Sequence, residues 1–527
     1  MRHAQLALLL TVALAASAGV SVSAARHRHP IDHDGPHGCE PEHGGCTHHP
    51  RHHRRYRRRP ATARPVSTVM PLDPARRSRY AWEPGMAQGP DGAIWAIGNH
   101  CALVDQHGIC EVDPAAPGFE PDYTPLWRST NGGRTYRWIA DPLRAAESSA
   151  HAPDGPGKLA QDHPGGYDTD VAVAPVARPG RPALVYAVSA WELGTTLAVS
   201  ADNGRTWSVS LLTGIPIQDR PWLAASGPCD LYMQYHPLTG AYDIASVARV
   251  DRYDGCALAD RAALGHGQAR ASSSTLVEPA IEEVTQTNSV MGKLAAAGGR
   301  IYLAYVACDT ALADSNCSGR GDRQSIHVAI SGDAARSFAD VPLPGDPGLG
   351  PLNDGTWPVA LAADASGRVV VARTDTHHVT LWTSSDFGRT WHRRAAPVDA
   401  PLRPWGRATV PTVALRGRRV AVTWNDSRST PAGAPQRWQL AVARSGDSGR
   451  SFRISVPPTV LATTPHNELL GSLLYDNNGA LFTPGGDLAL TYTESCADHP
   501  AAEATCPGPA GVQQGTTDVV RSAWLHR

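Results

Sequence analysis

A chain of 527 residues is long enough for one large closed repeat, and its 50 glycines and 44 prolines are typical of a turn-rich protein. Its formal net charge of −1 gives no global attraction to nucleic acid or to a membrane surface. Short apolar runs separated by Gly- and Pro-containing turns favour an all-β fold. We therefore expect no nucleic-acid partner and no membrane span.

The chain begins with the features of a secretory signal peptide. Residues 1–24 contain Arg2, an apolar run from Leu6 to Ala16, and small residues up to Ala24. The apolar run is shorter than a membrane-spanning helix requires. We predict a signal peptide over residues 1–24 and a secreted, extracellular protein.

Residues 25–63 are rich in His and Arg and contain few side chains that could join a core. The imidazoles could capture transition metals, and the basic run from Arg54 to Arg59 could attract an anionic surface. A disordered, solvated linker is the third interpretation, because so little of the segment is apolar. We predict the linker, followed by one folded domain over residues 64–527.

The ten cysteines fall into five pairs that are close neighbours in sequence. A metal site is weakly supported, because no Cys-x-x-Cys spacing occurs. Export favours disulfides, and nearest-neighbour pairing is the simplest, since each loop closes without crossing a repeat. We expect no bound metal and no cofactor. The expected pairs are Cys39–Cys46, Cys101–Cys110, Cys229–Cys256, Cys308–Cys317 and Cys496–Cys506.

Seven units recur from residue 80 onward, each with a short apolar strand that follows another apolar run and a turn. We call these two strands A and B of a unit. A four-stranded unit then needs strands C and D. The seven B strands are expected at residues 93–97, 183–188, 242–247, 300–306, 368–372, 419–423 and 487–492.

A second motif, Ser-x-Asp-x-Gly-x-Thr/Ser-aromatic, recurs after apolar runs in three full copies and two decayed copies, most clearly from Ser384 to Trp391. The Asp carboxylate can accept backbone N–H groups of a hairpin turn, and Gly can adopt a positive φ. The motif therefore predicts a structural turn between strands C and D. Its third position is Asp in four copies and Asn in the fifth: Asn131, Asp202, Asp333, Asp386 and Asp447.

The last apolar run, residues 518–525, fits strand C of the seventh unit and leaves that unit one strand short. Residues 64–70 could supply the missing strand and close a ring. We predict a seven-bladed β-propeller closed by the two ends of the folded domain, with six blades as the alternative.

The repeated motif resembles the Asp box, or BNR repeat, of the sialidase-like β-propellers of secreted bacterial proteins, over roughly residues 80–527. In that family the Asp box is structural and lies away from the active site. The resemblance implies three arginines that hold a substrate carboxylate, a Tyr nucleophile with a Glu partner, and an Asp acid/base. The Phe/Tyr-Arg-Ile-Pro motif that carries the first arginine of true sialidases is absent, and those enzymes have six blades.

Strand parity predicts one functional face. Asp-box turns share a face with A–B turns, so the B–C and D–A connections open on the opposite face, where binding residues tend to lie. Tryptophans near these strand ends suit either sugar stacking or blade packing: Trp191, Trp222, Trp357, Trp405 and Trp424. The predicted catalytic set is Arg220, Arg373, Arg428, Asp219, Asp426 and Tyr475, with the arginines as a carboxylate clamp. The predicted binding set on the same face is Asp170, Glu192, Asp354, Asp375 and Glu468.

Two functions remain open at this point. The first is a secreted, exo-acting glycoside hydrolase of sialidase type, or a degenerate relative, acting on a terminal anionic sugar. The second is a non-catalytic secreted propeller that binds a carbohydrate or an extracellular protein. The density of Arg and carboxylates favours the enzyme, whereas the absent arginine motif and the extra blade favour binding. Either protein is expected to be a monomer.

Overall fold

The computed structural model describes most strands of the folded domain, and residues 61–527 make up one compact unit. The predicted signal peptide and linker, residues 1–24 and 25–63, lie outside the described residues. The described residues are 66–71, 81–99, 124–140, 142, 167–191, 194–213, 218–239, 243–244, 248–260, 267–277, 292–308, 324–345, 359–375, 378–394, 407–428, 430–431, 434, 436–456, 460–464, 478–495 and 518–526.

The described strands form seven sheets, and each sheet is one blade. The N-terminal strand β1 (Val66–Val69) belongs to blade seven. Blade one consists of β2 (Trp82–Gln88), β3 (Ile94–Asn99), β4 (Leu126–Ser129) and β5 (Arg137–Ala140). Blade two consists of β6 (Tyr167–Val173), β7 (Val185–Trp191), β8 (Gly194–Ser200) and β9 (Ser208–Thr213). Blade three consists of β10 (Gln218–Ser226), β11 (Asp230–Thr239) with the short β12 (Asp243–Ile244), β13 (Arg249–Asp254) and β15 (Ser273–Leu276). Helix α1 (Gly255–Asp260) and β14 (Gly267–Arg270) lie between β13 and β15 in the chain, and β14 joins the sheet of blade two.

The remaining four blades follow the same order along the chain. Blade four consists of β16 (Ala295–Ala297), β17 (Arg300–Cys308), β18 (Gln324–Ser331) and β19 (Ala339–Pro342). Blade five consists of β20 (Ala360–Ala363), β21 (Val369–Thr374), β22 (Val379–Ser384) and β23 (His392–Arg394). Blade six consists of β24 (Ala408–Arg416), β25 (Arg419–Asp426), β26 (Gln436–Ser445), β27 (Arg453–Ser455) and β28 (Val460–Thr464). Blade seven consists of β29 (Gly479–Phe482), β30 (Leu488–Ser495), β31 (Asp518–Leu525) and β1.

The two ends of the domain close the ring. Strand β1 pairs antiparallel with β31, with Val66 opposite Trp524 and Val69 opposite Arg521. The N–H of Met70 extends the ladder by donating to the Val520 carbonyl at 2.9 Å. The predicted seven-bladed propeller and its closing strand are therefore confirmed, and the six-bladed alternative is wrong.

Seven apolar clusters of buried side chains lie between the blades, one at each interface of the described ring. Between blades five and six, for example, Trp424 and Val422 pack with Val370 and Leu381. Successive side chains of a strand point to opposite faces of the blade. Each face packs against a neighbouring blade, so both faces are apolar. No blade can bury its core without the blades on either side.

Blade three departs from the predicted strand pattern. Strand B was expected at residues 242–247, but it is β11, which pairs with β10 so that Ser226 lies opposite Asp230. The A–B turn is therefore 227–229, and the Pro237–Gly240 turn signal falls near the end of a long strand instead of between A and B. Residues 243–244 form only the short β12 against that end.

Blade three also has no box motif, and α1 and β14 occupy that part of the chain. Strand β14 leaves its own blade and pairs in parallel with β9 of blade two, with Gly267 opposite Ser210. A disulfide joins Cys229, in the β10–β11 turn, to Cys256 in α1, as nearest-neighbour pairing predicts. The side chains of the other four predicted pairs lie outside the described residues.

The repeated Ser-x-Asp motif forms the same hydrogen-bonded turn in five blades, here called the box turn. In blade four, Asp333 Oδ1 accepts a hydrogen bond from Ser331 Oγ at 2.7 Å. The same oxygen accepts from the N–H groups of Arg336 (3.1 Å) and Ser337 (3.0 Å), and Oδ2 accepts from Ser337 Oγ at 2.6 Å. The carboxylate thus binds the backbone of its own turn. The corresponding residues of the other box turns are Asn131, Asp202, Asp386 and Asp447.

In blade two, the box turn requires a glycine for two reasons. Gly204 has φ +80°, and a Cβ added there would lie 2.8 Å from the Trp95 ring of blade one. Trp95 is buried and cannot move aside. The box glycine therefore allows both the left-handed backbone and the close approach of the neighbouring blade.

We expect Gly204→Ala to destabilise the protein more than a glycine replacement in open space. Gly299 is the matched control, because its φ is +75° and no atom lies within 4 Å of an added Cβ. Gly299→Ala should lower the free energy of unfolding by about 1 kcal/mol through backbone strain alone. Gly204→Ala should add about 1–3 kcal/mol for overpacking against Trp95. Urea unfolding measures both, and equal losses would contradict the close-approach argument.

Acid should weaken the box turns in a defined pH range. The hydrogen bonds from the Ser337 and Ser331 hydroxyls lower the pKa of Asp333 to about 2. Because this lies below the pKa of an unfolded Asp, about 3.9, the carboxylate stabilises the fold above about pH 4. That contribution is lost as the pH falls towards 2.

Asp333→Asn should therefore lower the free energy of unfolding near pH 6 and have a smaller effect near pH 2. Asn131 shows that the turn accepts an amide, since its Nδ2 donates to Thr135 Oγ1 at 2.8 Å. Asn131→Asp is the reverse control and should stabilise the protein only at the higher pH. Urea unfolding at both pH values measures the effect, and a loss for Asp333→Asn that is independent of pH would refute this assignment.

Candidate functional site

A cavity of about 350 Å³ lies on the axis of the ring. Its described lining is mostly small and aliphatic, with Asp170 as its one carboxylate, Lys293 as its one cation, and Asn478 and Thr412 as further polar residues. Every innermost strand contributes to it. One lining residue from each innermost strand, in blade order, is Met86, Asp170, Leu223, Ala295, Ala360, Thr412 and Gly479.

Asp170 joins three blades at this cavity. Its side chain is 3% exposed, and Oδ1 accepts a hydrogen bond from Lys293 Nζ at 2.9 Å. Oδ2 accepts from the backbone N–H of Leu223 at 2.9 Å. Asp170 lies on β6, Leu223 on β10, and Lys293 directly before β16. The predicted binding residue Asp170 is thus in the axial cavity, in an ion pair that crosses from blade two to blade four.

Lys293 is the functional candidate that the predicted sites omitted. Its side chain is 28% exposed, and Nζ lies 5.1 Å from the centroid of the Trp222 ring. The preceding Gly292 is fixed by two hydrogen bonds, one from Gln234 Nε2 to its carbonyl and one from its N–H to Ala304, both 2.9 Å. The sequence did contain a signal: Lys293 is one of two lysines in a chain whose other basic residues are arginines.

Three innermost strands begin with a bulge and a residue at positive φ. These residues are Asp168 (φ 34°), Arg220 (φ 57°) and Val410 (φ 50°). The bulge lets Asp168 Oδ2 accept from the N–H of Arg220 at 3.3 Å. Strained backbone of this kind often occurs at ligand sites. In two of the three strands a proline follows the residue at positive φ, at 220–221 and 410–411, whereas Asp168 is followed by Thr169.

Asp426 and Arg428 form a buried ion pair at the end of β25, with side chains 6% and 11% exposed. Arg428 Nε lies 2.9 Å and 2.8 Å from the two carboxylate oxygens, and Nη2 also contacts Oδ2. Trp424 Nε1 donates to Oδ2 at 2.9 Å, and the Arg428 N–H donates to Oδ1 at 2.8 Å. The carboxylate of Asp426 therefore accepts hydrogen bonds from the backbone of Arg428 and from the side chains of Arg428 and Trp424.

The other predicted clamp arginines are also buried. Arg220 is 8% exposed and Arg373 is 1% exposed, with its guanidinium 5.9 Å from the Trp382 ring centroid. Arg373 therefore lies near the Trp382 ring, and Arg428 is paired with Asp426. A common pocket for Arg220, Arg373 and Arg428 stays a prediction.

Of the remaining predicted residues, the structure describes the side chains of Asp375, Trp222 and Trp424. Asp375 lies in a local turn, where it accepts from the His378 N–H at 2.5 Å and lies 2.9 Å from His378 Nδ1. Trp424 is buried between blades five and six, and Trp222 is 2% exposed, so neither tryptophan can stack on a sugar. The following predicted side chains lie outside the described residues: Asp219, Glu192, Asp354, Glu468 and Tyr475.

Several polar strand ends tie one blade to the next. Asn99 Oδ1 accepts from Thr169 N–H (3.1 Å) and Thr169 Oγ1 (2.6 Å), which connects blade one to blade two. Asn478 Nδ2 donates to Asn425 Oδ1 at 3.3 Å, which connects blade seven to blade six. Polar residues at this end of the blades are therefore partly structural, and their presence alone does not define a ligand site.

The part of the chain that the structure describes contains neither a metal-ligand cluster nor a membrane-spanning helix. There, no three His, Cys, Asp or Glu side chains come together as metal ligands. Helix α1 has six residues, and the described residues contain no helix with the length and hydropathy to cross a bilayer.

No protein-family model and no curated protein matches the chain. Among solved structures, it is similar to an α-L-arabinanase of Penicillium chrysogenum complexed with arabinobiose (TM-score 0.40, 15% identity, 77% of this chain and 99% of that chain). It is also similar to a GH74 xyloglucanase of Xanthomonas campestris (0.43, 13%, 83% and 54%). A third is a Hadza microbial sialidase (0.35, 13%, 78% and 63%). These are similarities of overall fold, and the function proposed below rests on this chain's own residues.

We expect Gly85 to be required for the ion pair in the axial cavity. A Cβ added at Gly85 would lie 2.8 Å from Asp170 Oδ1 and 3.4 Å from Lys293 Nζ. Gly85→Ala should therefore lower the free energy of unfolding by about 1–3 kcal/mol through overpacking.

A double-mutant cycle tests whether this loss passes through the ion pair. In the Lys293→Ala background Asp170 can shift, so Gly85→Ala should cost less, with a coupling energy of about 1 kcal/mol. Urea unfolding of the four proteins measures the coupling. Strictly additive losses would show that Gly85 acts independently of the pair.

Proposed function

We propose that this chain is a secreted glycan-recognition propeller of glycoside-hydrolase type, which binds a terminal sugar residue in the axial cavity. The observation that carries the proposal is the Asp170–Lys293 pair in a cavity of about 350 Å³. This volume is at the lower end of the range for small-molecule sites, roughly 300–1,000 Å³. A single sugar residue, bound end-on at the axis, is the ligand of matching size and polarity.

The cavity offers both kinds of hydrogen-bonding group that a sugar requires. Asp170 is an acceptor for hydroxyl groups, and the Lys293 ammonium has three donor positions, of which Asp170 Oδ1 takes one. Lys293 is the more exposed of the two. It is therefore the group available to a sugar carboxylate, and we propose a terminal anionic sugar as the preferred ligand.

Hydrolysis of that sugar, in an exo-acting reaction of sialidase type, is the second candidate. It is favoured by the buried Asp170 carboxylate, because carboxylates are the usual acid/base groups of glycosidases. Asp170 is the one carboxylate among the described lining residues. Asp219 and Asp426 are the other candidates for the acid/base, Tyr475 is the proposed nucleophile, and Arg220, Arg373 and Arg428 form the proposed carboxylate clamp. Glu192, Asp354 and Glu468 remain proposed binding residues.

Binding is tested with a glycan array, followed by titration of the tightest glycan. Lys293→Ala and Asp170→Asn should each weaken binding by about tenfold, because each removes a charge-assisted hydrogen bond. Arg336→Gln, in a box turn, is the control and should leave the dissociation constant unchanged. Equal affinity of all four proteins would exclude the axial cavity as the site.

Hydrolysis is tested separately with a fluorogenic sialoside. If the enzyme hypothesis holds, Asp170→Asn should abolish turnover, and Arg428→Ala should lower kcat/KM at least about tenfold. Arg428→Lys should not rescue it, because the planar fork is lost. Circular dichroism controls for folding, since removing Arg428 leaves Asp426 buried without its partner. Glycan binding without turnover in the unmodified protein would identify a binding propeller.

A further inference from the structure

A second cavity, of about 440 Å³, lies between blades five and six on the face that carries the box turns. The backbone shows that this is the face of the A–B turns as well, because the Ser448 N–H donates to the Arg418 carbonyl at 2.8 Å. Both blades supply basic side chains to its walls. We call it the basic cleft, defined by Arg368, His392, Arg394, Arg418 and Arg450.

The single described carboxylate in the lining, Asp447, does not neutralise the cleft. Its Oδ1 accepts from Ser445 Oγ (2.7 Å) and from the N–H groups of Arg450 (3.1 Å) and Ser451 (2.9 Å). Its Oδ2 accepts from Ser451 Oγ at 2.6 Å. Four guanidinium groups thus face one carboxylate that already binds its own box turn.

The guanidinium groups retain donors for a ligand. Arg394 uses Nε to bind Thr383 Oγ1 at 2.8 Å, and Arg368 uses Nη1 to bind Ser366 Oγ at 3.1 Å, so the other nitrogens of both groups are not engaged by these contacts. Arg418 and Arg450 are exposed, and neither guanidinium forms a hydrogen bond or an ion pair with any described side chain. Four guanidinium groups beside one carboxylate that binds its own turn create a positive potential, which attracts anions to the cleft.

We propose that the basic cleft binds an anionic polysaccharide through its sulfate or carboxylate groups. Planar guanidinium forks match these oxyanions bidentately. The hydroxyls of Thr383, Ser384 and Ser385 lie in the same lining and suit sugar hydroxyls.

A saccharide fits the cleft better than a nucleic acid does. Among the described lining residues His392 is the one aromatic side chain, so the stacking platforms of single-strand binding are missing. The basic cleft and the start of the axial strands are at opposite ends of the blades. The proposal is therefore independent of sugar binding in the axial cavity.

The test is titration of a fluorescein-labelled heparin hexasaccharide against the full secreted chain. Arg418→Gln/Arg450→Gln is the informative variant, because neither side chain forms a hydrogen bond with another residue in the described part of the chain. Arg205→Gln/Arg336→Gln is its control: it removes the same charge from exposed box-turn arginines in blades two and four. The first variant should raise the dissociation constant at least about tenfold, and the control less than about twofold. The first should also reduce the slope of log affinity against log salt by about two.

Two further ligands identify the recognised group. A hexamer of galacturonic acid carries carboxylates alone, and its affinity relative to the heparin fragment distinguishes carboxylate from sulfate recognition. A single-stranded oligonucleotide of equal charge should bind more weakly than the better of the two saccharides. Equal weakening in both double variants, no weakening in either, or tighter binding of the oligonucleotide would overturn the proposal.

Discussion

The pairing of β1 with β31 is the contact on which the ring depends, because it makes one blade from two distant parts of the chain. Around it, Ser67 Oγ contacts the Tyr492 hydroxyl at 2.6 Å, and Trp127 Nε1 of blade one donates to the Pro71 carbonyl at 2.5 Å. An unpaired β31 would leave a free sheet edge. It would also uncover the apolar clusters on both sides of blade seven, so closure stabilises much more than four residues of strand.

The fold could be predicted because its signals are local. The box motif encodes a turn through contacts within eight residues, and the apolar strands encode their own pairing by alternation. Blade three was mispredicted at strand B because a Pro-Leu-Thr-Gly sequence looks like a turn, whereas β11 continues through Pro237 opposite Gln218. Pairing of β11 with β10 outweighed the local turn preference of this sequence. No pattern within residues 237–247 reveals that pairing.

The candidate site was harder to predict because its partners come from different blades. Asp170 was predicted from its place at a strand start, but its ion pair with Lys293 joins residues 123 positions apart. Strand-end polar residues with different roles look alike in sequence: Asn99 ties two blades together, whereas Asp170 both joins blades and lines the cavity. The basic cleft was missed for a similar reason, because its four arginines come from four short segments that only the packing of blades five and six brings together.

Strand β14 has a mechanical consequence for the ring. By pairing with β9, it joins blades two and three through backbone hydrogen bonds, which resist sliding more strongly than packed side chains do. Blades two and three should therefore move as one rigid piece. That piece carries both Asp170 and Leu223, while Lys293 arrives from blade four across an interface held by side-chain contacts. The Asp170–Lys293 contact thus spans the edge of the rigid piece, where a small rotation of blade four would separate the two charges.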